Sequence, residues 1–149
     1  MIKEKFYELK KEFSVHDNLF LIFLIINFDT SLEQIDFNFL KDNTITIYSF
    51  KNGKWEKKKS KKDSKVKYKR ISIEEIKEPE TIIGKISKLI KDKNLFPSKF
   101  IIFLQKIEEI NYTILCLCEN FYVYKIVMDK NLNVIDKELI SLLNFFRFK

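Results

Sequence analysis

The chain has 149 residues, a formal net charge of +7 and 46% hydrophobic residues, with fifteen Phe. At this length one compact domain spanning residues 1–149 is expected, and surface scaling buries about two thirds of the unfolded surface, enough for a real core. With two glycines standing alone (Gly53, Gly84) and one histidine (His16), neither a glycine-rich phosphate loop nor a His-rich metal site can be built.

Alanine is absent, arginine occurs only at positions 70 and 147, and Lys, Ile, Asn and Phe take their place, a bias expected of an AT-rich genome. Lysine without arginine lacks the planar fork that reads phosphate and guanine bidentately. The N-terminal residues are charged and amphipathic, so no secretion leader is expected. The longest apolar run, Leu19 to Ile26, is eight residues, far short of the roughly 20 that cross a bilayer, so no integral membrane segment is expected. Two cysteines, Cys116 and Cys118, fit a reducing cytoplasm and read as core residues on one strand face.

Ile2, Phe6, Leu9 and Phe13 recur at helical spacing, predicting a first helix. Ser14 or Asp17 is placed to cap a second helix through LFLIFLIINF, although that run is apolar all round and also fits a buried strand. His16 reads as a polar residue near that cap. Strands follow at Ile35–Phe39 and Thr44–Phe50, with a turn at Lys41-Asp42-Asn43 between them. Asn52-Gly53 then signals a tight hairpin, because a type I′ turn needs positive φ at both central residues. Trp55–Lys59 is the return strand, and Lys65–Ile73 reads as a further strand with Val66 and Tyr68 on one face.

Pro79 opens a helix, PETIIGKISKLIKDKN, lined by Ile82, Ile83, Ile86, Leu89 and Ile90. Glu74, Glu75, Glu78 and Glu80 precede and open it, where carboxylates suit the positive end of a helix. Ser98 then caps a segment that reads as helix or strand through FIIFL. Strands follow at Tyr112–Cys118, Phe121–Val127 and Leu132–Ile135, and a last helix is expected over Lys137–Phe146. The fold class is therefore α+β, an antiparallel β-sheet flanked by helices. The order of elements suggests a tandem duplication of an αα-βββ unit, with a boundary near 78/79 that separates 1–78 from 79–149.

Eleven of the twenty residues from Lys51 to Arg70 are basic, opposed only by Glu56 and Asp63, a net of +9 against +7 for the whole chain. The candidate polyanion-binding residues are Lys51, Lys54, Trp55, Lys57, Lys58, Lys59, Lys61, Lys62, Lys65, Lys67, Lys69 and Arg70. Lysines attract phosphate, and Trp55 and Tyr68 between them could stack on unpaired bases. A solvated edge strand that resists aggregation is the plainer reading. Asp42 with Glu56-Lys57-Lys58 matches the acid and acid-x-lysine spacing of metal-dependent nucleases, but KWEKKKSKK is too polar for the central strand that such a site uses. No catalytic residue, cofactor or metal is assigned. The expected function is that of a small non-catalytic binding or accessory protein with another protein as partner; nucleic acid bound at the basic hairpin is the alternative, and a nuclease-like enzyme comes third.

Overall fold

A computed structural model describes residues 1–15, 18–62 and 67–143. Eight strands form one antiparallel sheet: β1 (Leu19–Asn27), β2 (Leu32–Lys41), β3 (Thr44–Lys51), β4 (Lys54–Lys61), β5 (Pro97–Lys106), β6 (Ile110–Cys118), β7 (Tyr122–Met128) and β8 (Val134–Ser141). Their order across the sheet is β4-β3-β2-β1-β5-β6-β7-β8, so β1 and β5 are central and β4 and β8 are the edges. Two helices, α1 (Ile2–Glu12) and α2 (Pro79–Lys91), precede the two four-stranded runs.

Both helices cover the same face of the sheet. Alternation sends Ile22, Leu24 and Ile26 of β1, Phe37 of β2 and Ile102 of β5 to that face, where all are fully buried. Helix α1 lays Phe6 against Phe37 and Phe39, with ring centroids 5.6 and 6.4 Å apart. Helix α2 contributes Ile82, Ile83, Ile86 and Ile90 to the same cluster. Next to it, the Tyr112 hydroxyl accepts the Lys77 backbone N–H at 2.7 Å. The two helices begin side by side: Glu78, just before α2, accepts the Ile2 backbone N–H of α1 at 2.7 Å. That carboxylate therefore satisfies a free donor at the start of the other helix.

Several expectations are corrected. The run LFLIFLIINF is strand β1, not a helix; pairing with β2 and β5 on both sides satisfies its backbone, and its β-branched and aromatic residues suit a pleated surface. FIIFL is likewise strand, in β5. The last helix is replaced by edge strand β8, paired with β7 from Val134 to Ser141; the end of the expected helix, through Phe146, lies outside the described residues. The strand expected over Lys65–Ile73 does not form over residues 67–72, which run irregularly into a short 3-10 turn at Ile73–Glu75. Among the described residues each half thus has one α-helix and four strands, not two helices and three strands. His16, Asp17, Lys65 and Val66 lie outside the described residues.

The two sharpest local expectations hold. Asn52 and Gly53 have φ of 54° and 74°, the left-handed pair of a type I′ turn joining β3 to β4. Pro79 occupies the first turn of α2.

Candidate interaction surface

The face opposite the helices is built by the alternate residues of the same strands. Phe23 of β1 pairs directly with Phe103 of β5, their rings 5.1 Å apart, at the centre of the sheet. Leu21, Ile25, Ile101 and Leu115 stand around this pair, with Asp36 of β2 directly beside Phe23 and Thr113 of β6 directly beside Phe103. All of these are half-buried, shielded by one another and by no other element among the described residues. Val123 and Val127 of β7 extend the apolar area toward β8.

Two charged groups of the open face lie in the inner strands, Asp36 of β2, which accepts from Ser49 and Gln34, and Lys99 of β5, ion-paired with Glu33; the rest of its charge gathers at the two margins. On the β4 side are Lys51, Lys54 and Lys58 with Glu56, a net of +2; on the β8 side are Asp136 and Glu138 with Lys125, a net of −1. One complete cross-sheet row runs Lys54, Lys51, Gln34, Ile25, Ile101, Leu115, Lys125, Glu138, from basic edge through apolar centre to acidic edge.

The register splits the candidate basic residues. Lys51 ends β3, and Lys54, Lys57, Lys58, Lys59 and Lys61 are exposed along β4. Lys54 and Lys58 share the open face with Glu56, while Lys57, Lys59 and Lys61 point to the helix side. Lys62 follows β4, Lys67, Lys69 and Arg70 belong to the return toward Ile71, and Lys65 is outside the described residues. The interleaved aromatics are occupied. Trp55 is half-buried against Phe50 at 5.1 Å and Phe37 at 6.3 Å, and Tyr68 packs edge-on against Phe20 at 4.4 Å.

The other edge is differently defended. On β8, Ile135 and Leu139 are 58% and 48% exposed, and Asp136 and Glu138 supply its acidic charge.

Asp42 and Glu56 do not meet. Thr44 pairs with Lys61 and Ser49 with Glu56, so at about 3.3 Å per residue five positions, some 17 Å, separate Glu56 from the start of β3 next to the Asp42 turn. Among the described residues no group of three or more His, Cys, Asp or Glu is arranged to hold a metal ion. Cys116 and Cys118 face the core with sulfurs 3.7 Å apart, and burial pushes both thiols up, away from the reactive thiolate. A polar cleft lined by Glu75, Lys106, Glu109 and Lys130 is already neutralised by ion pairs, Glu75–Lys106 at 3.4 Å and Glu109–Lys130 at 2.9 Å.

The chain matches no family model, no curated protein and no solved structure. Among the described residues no helix is long and apolar enough to cross a membrane.

The open face escaped the sequence reading because it exists only once β1 and β5 are strands. Its signal was present all the same: LFLIFLII and FIIFL are apolar at every position, the pattern of strands buried on both faces.

Proposed function

We propose that this protein is a small non-catalytic binding protein that acts through protein–protein contacts at the open face of its sheet. One observation carries the reading: the central strands β1 and β5 are apolar on both faces, but among the described residues helices cover only one. Strands with that pattern are ordinarily covered on both sides. The occupied aromatics, the neutralised polar cleft and the inert thiols support a non-catalytic role. The test is affinity capture with the wild-type chain and with Phe103→Glu, followed by mass spectrometry. The reading expects captured protein, own copies included, to be lost in the variant; an unchanged captured set overturns it.

The two halves are read as a tandem duplication of an α-ββββ unit within one domain, divided at 78/79. The repeated order of elements and the strand order, which mirrors itself about the β1/β5 pair, support this.

A second reading, nucleic-acid binding at the basic hairpin, is favoured by the exposure of the five β4 lysines, none of which is ion-paired among the described residues. Five phosphate contacts give a log–log salt slope of about −4.5 on duplex DNA. Titration of labelled duplex and single-stranded DNA at two salt concentrations tests it. Binding unchanged when Lys57, Lys58, Lys59, Lys61 and Lys62 become Gln removes this reading.

A further inference from the structure

We propose that the open face is closed by a second copy of this chain, in an aligned face-to-face sandwich whose two-fold axis runs along the strands. The proposal rests on the open face being a protein-binding surface and names its occupant.

Size is the first argument. Eight strands at about 4.8 Å spacing and eight residues at about 3.3 Å rise give a face of roughly 1,000 Å². Two such faces bury about 2,000 Å² together, the upper end of a standard stable interface. A second copy covers β4 to β8 from edge to edge. Two sheets with apolar inner faces pack about 10 Å apart, with strand directions within about 30° of each other.

The centre is the second argument. Phe23 and Phe103 flank the midline of the sheet, so a two-fold axis over that midline stacks the aromatic pair on its own copy. Well-packed aromatics at the middle of an interface, ringed by smaller apolar residues, are where binding energy concentrates.

Charge selects the orientation. A two-fold axis along the strands lays the β4 margin, net +2, over the partner's β8 margin, net −1. Within one row it brings Lys54 opposite Glu138. Two like-charge matches remain, Lys51 with Lys125 and Glu56 with Asp136; Lys51, Glu56 and Asp136 are exposed, where water and salt screen them. A two-fold axis across the strands relieves the Lys51–Lys125 match but is worse for the margins as wholes. It puts the basic margin on itself and the acidic margin on itself, and brings Lys54 onto Lys58. Opposed like charges are the means by which interfaces reject a wrong register.

The experiment has two arms, both on the full chain. Sedimentation equilibrium over a concentration series is expected to show a reversible dimer for the wild type and for Phe103→Leu, and a monomer for Phe103→Glu and Leu115→Lys. Circular dichroism and cooperative unfolding check that each variant is folded. In the second arm the apolar centre is left intact. Lys54→Cys and Glu138→Cys, on separate chains that are then mixed, are joined by a short bifunctional maleimide; the native Cys116 and Cys118 are buried and do not compete. The expected product is the Lys54→Cys to Glu138→Cys dimer, with no linking of Lys54→Cys to Lys58→Cys. A wild-type chain that stays monomeric at every concentration overturns the dimer; if Phe103→Glu still abolishes capture of some other protein, the binding reading survives. A dimer that persists in both folded charge variants overturns the use of this face. Linking of Lys54→Cys to Lys58→Cys overturns the orientation.

Discussion

On β5, Ile102 is fully buried beneath the helices, whereas Ile101, one residue away and chemically identical, is half-buried on a face that no described element covers. The same contrast runs along β1, between Ile22 and Leu24 on one side and Phe23 and Ile25 on the other. The helix face is covered by α1 and α2. The open face is apolar along β1 and β5 and has no second layer among the described residues. Alternation makes each strand a paired experiment, because neighbouring residues share backbone, pairing and sequence context and differ only in what lies above them.

The sharpest way to use that pair is by truncation in a monomeric Phe103→Glu background. Ile102→Ala should cost about 2–5 kcal/mol, since it leaves a cavity in a packed core. Ile101→Ala should cost less than about 1 kcal/mol there, because water already reaches it. Equal losses in urea unfolding would erase the distinction between the two faces. In the wild-type background Ile101→Ala should also weaken self-association, which Ile102→Ala should affect only by destabilising the fold.

Smaller effects probe the edges that bound both faces. Gly53→Ala forces a Cβ into the left-handed region at φ 74° and should cost about 1 kcal/mol in thermal unfolding. A wild-type melting temperature would mean that the β3–β4 turn bears little on the basic margin. Replacing Lys57, Lys59 and Lys61 by Gln should leave stability within about 0.5 kcal/mol. It should still promote aggregation in light scattering, because those lysines guard an unpaired edge. No increase in scattering would remove the protective role.

The smallest effect concerns the turn that carries the acidic margin. The Asp129 carboxylate is held below its usual 3.8 by backbone N–H bonds from Asn133 and Asn131 and by the Asn133 side chain, with help from Lys130. A depressed carboxylate pKa contributes order that is present above the unfolded value and is lost as pH falls through the folded one. Amide exchange at Asn131 and Asn133 should therefore accelerate beyond its normal pH dependence only below about pH 4, and the change should vanish in Asp129→Asn. Acceleration that begins near neutral pH would point to another group.

Local rules in the sequence placed some elements well. Asn52-Gly53 and Pro79 act through φ and the missing N–H, which no tertiary context needs to supply. The apolar stripe of α1 was equally plain. What failed was the assignment of runs whose periodicity fits two answers. Leu19 to Ile26 is apolar at every position, so neither period excludes the other, and long-range pairing with β2 and β5 decided for strand. Leu139, Ile140, Leu142 and Leu143 are spaced as a helix would space them, but the ladder offered by β7 took Val134–Ser141 as its edge. The lysines of β4 were legible as an exposed strand because lysine so dense cannot be buried, whereas the strand read over Lys65–Ile73 does not form over residues 67–72. The open face was not legible, since its members are brought together only by cross-strand register between residues 80 apart, as with Phe23 and Phe103.

Thermal unfolding of the wild-type chain over a wide range of protein concentration tests the central claim most directly. If a second copy closes the open face, the melting temperature rises steadily with concentration, because association stabilises only the folded state. In Phe103→Glu the dependence should be absent. A wild-type melting temperature that stays flat across the whole range would contradict the dimer.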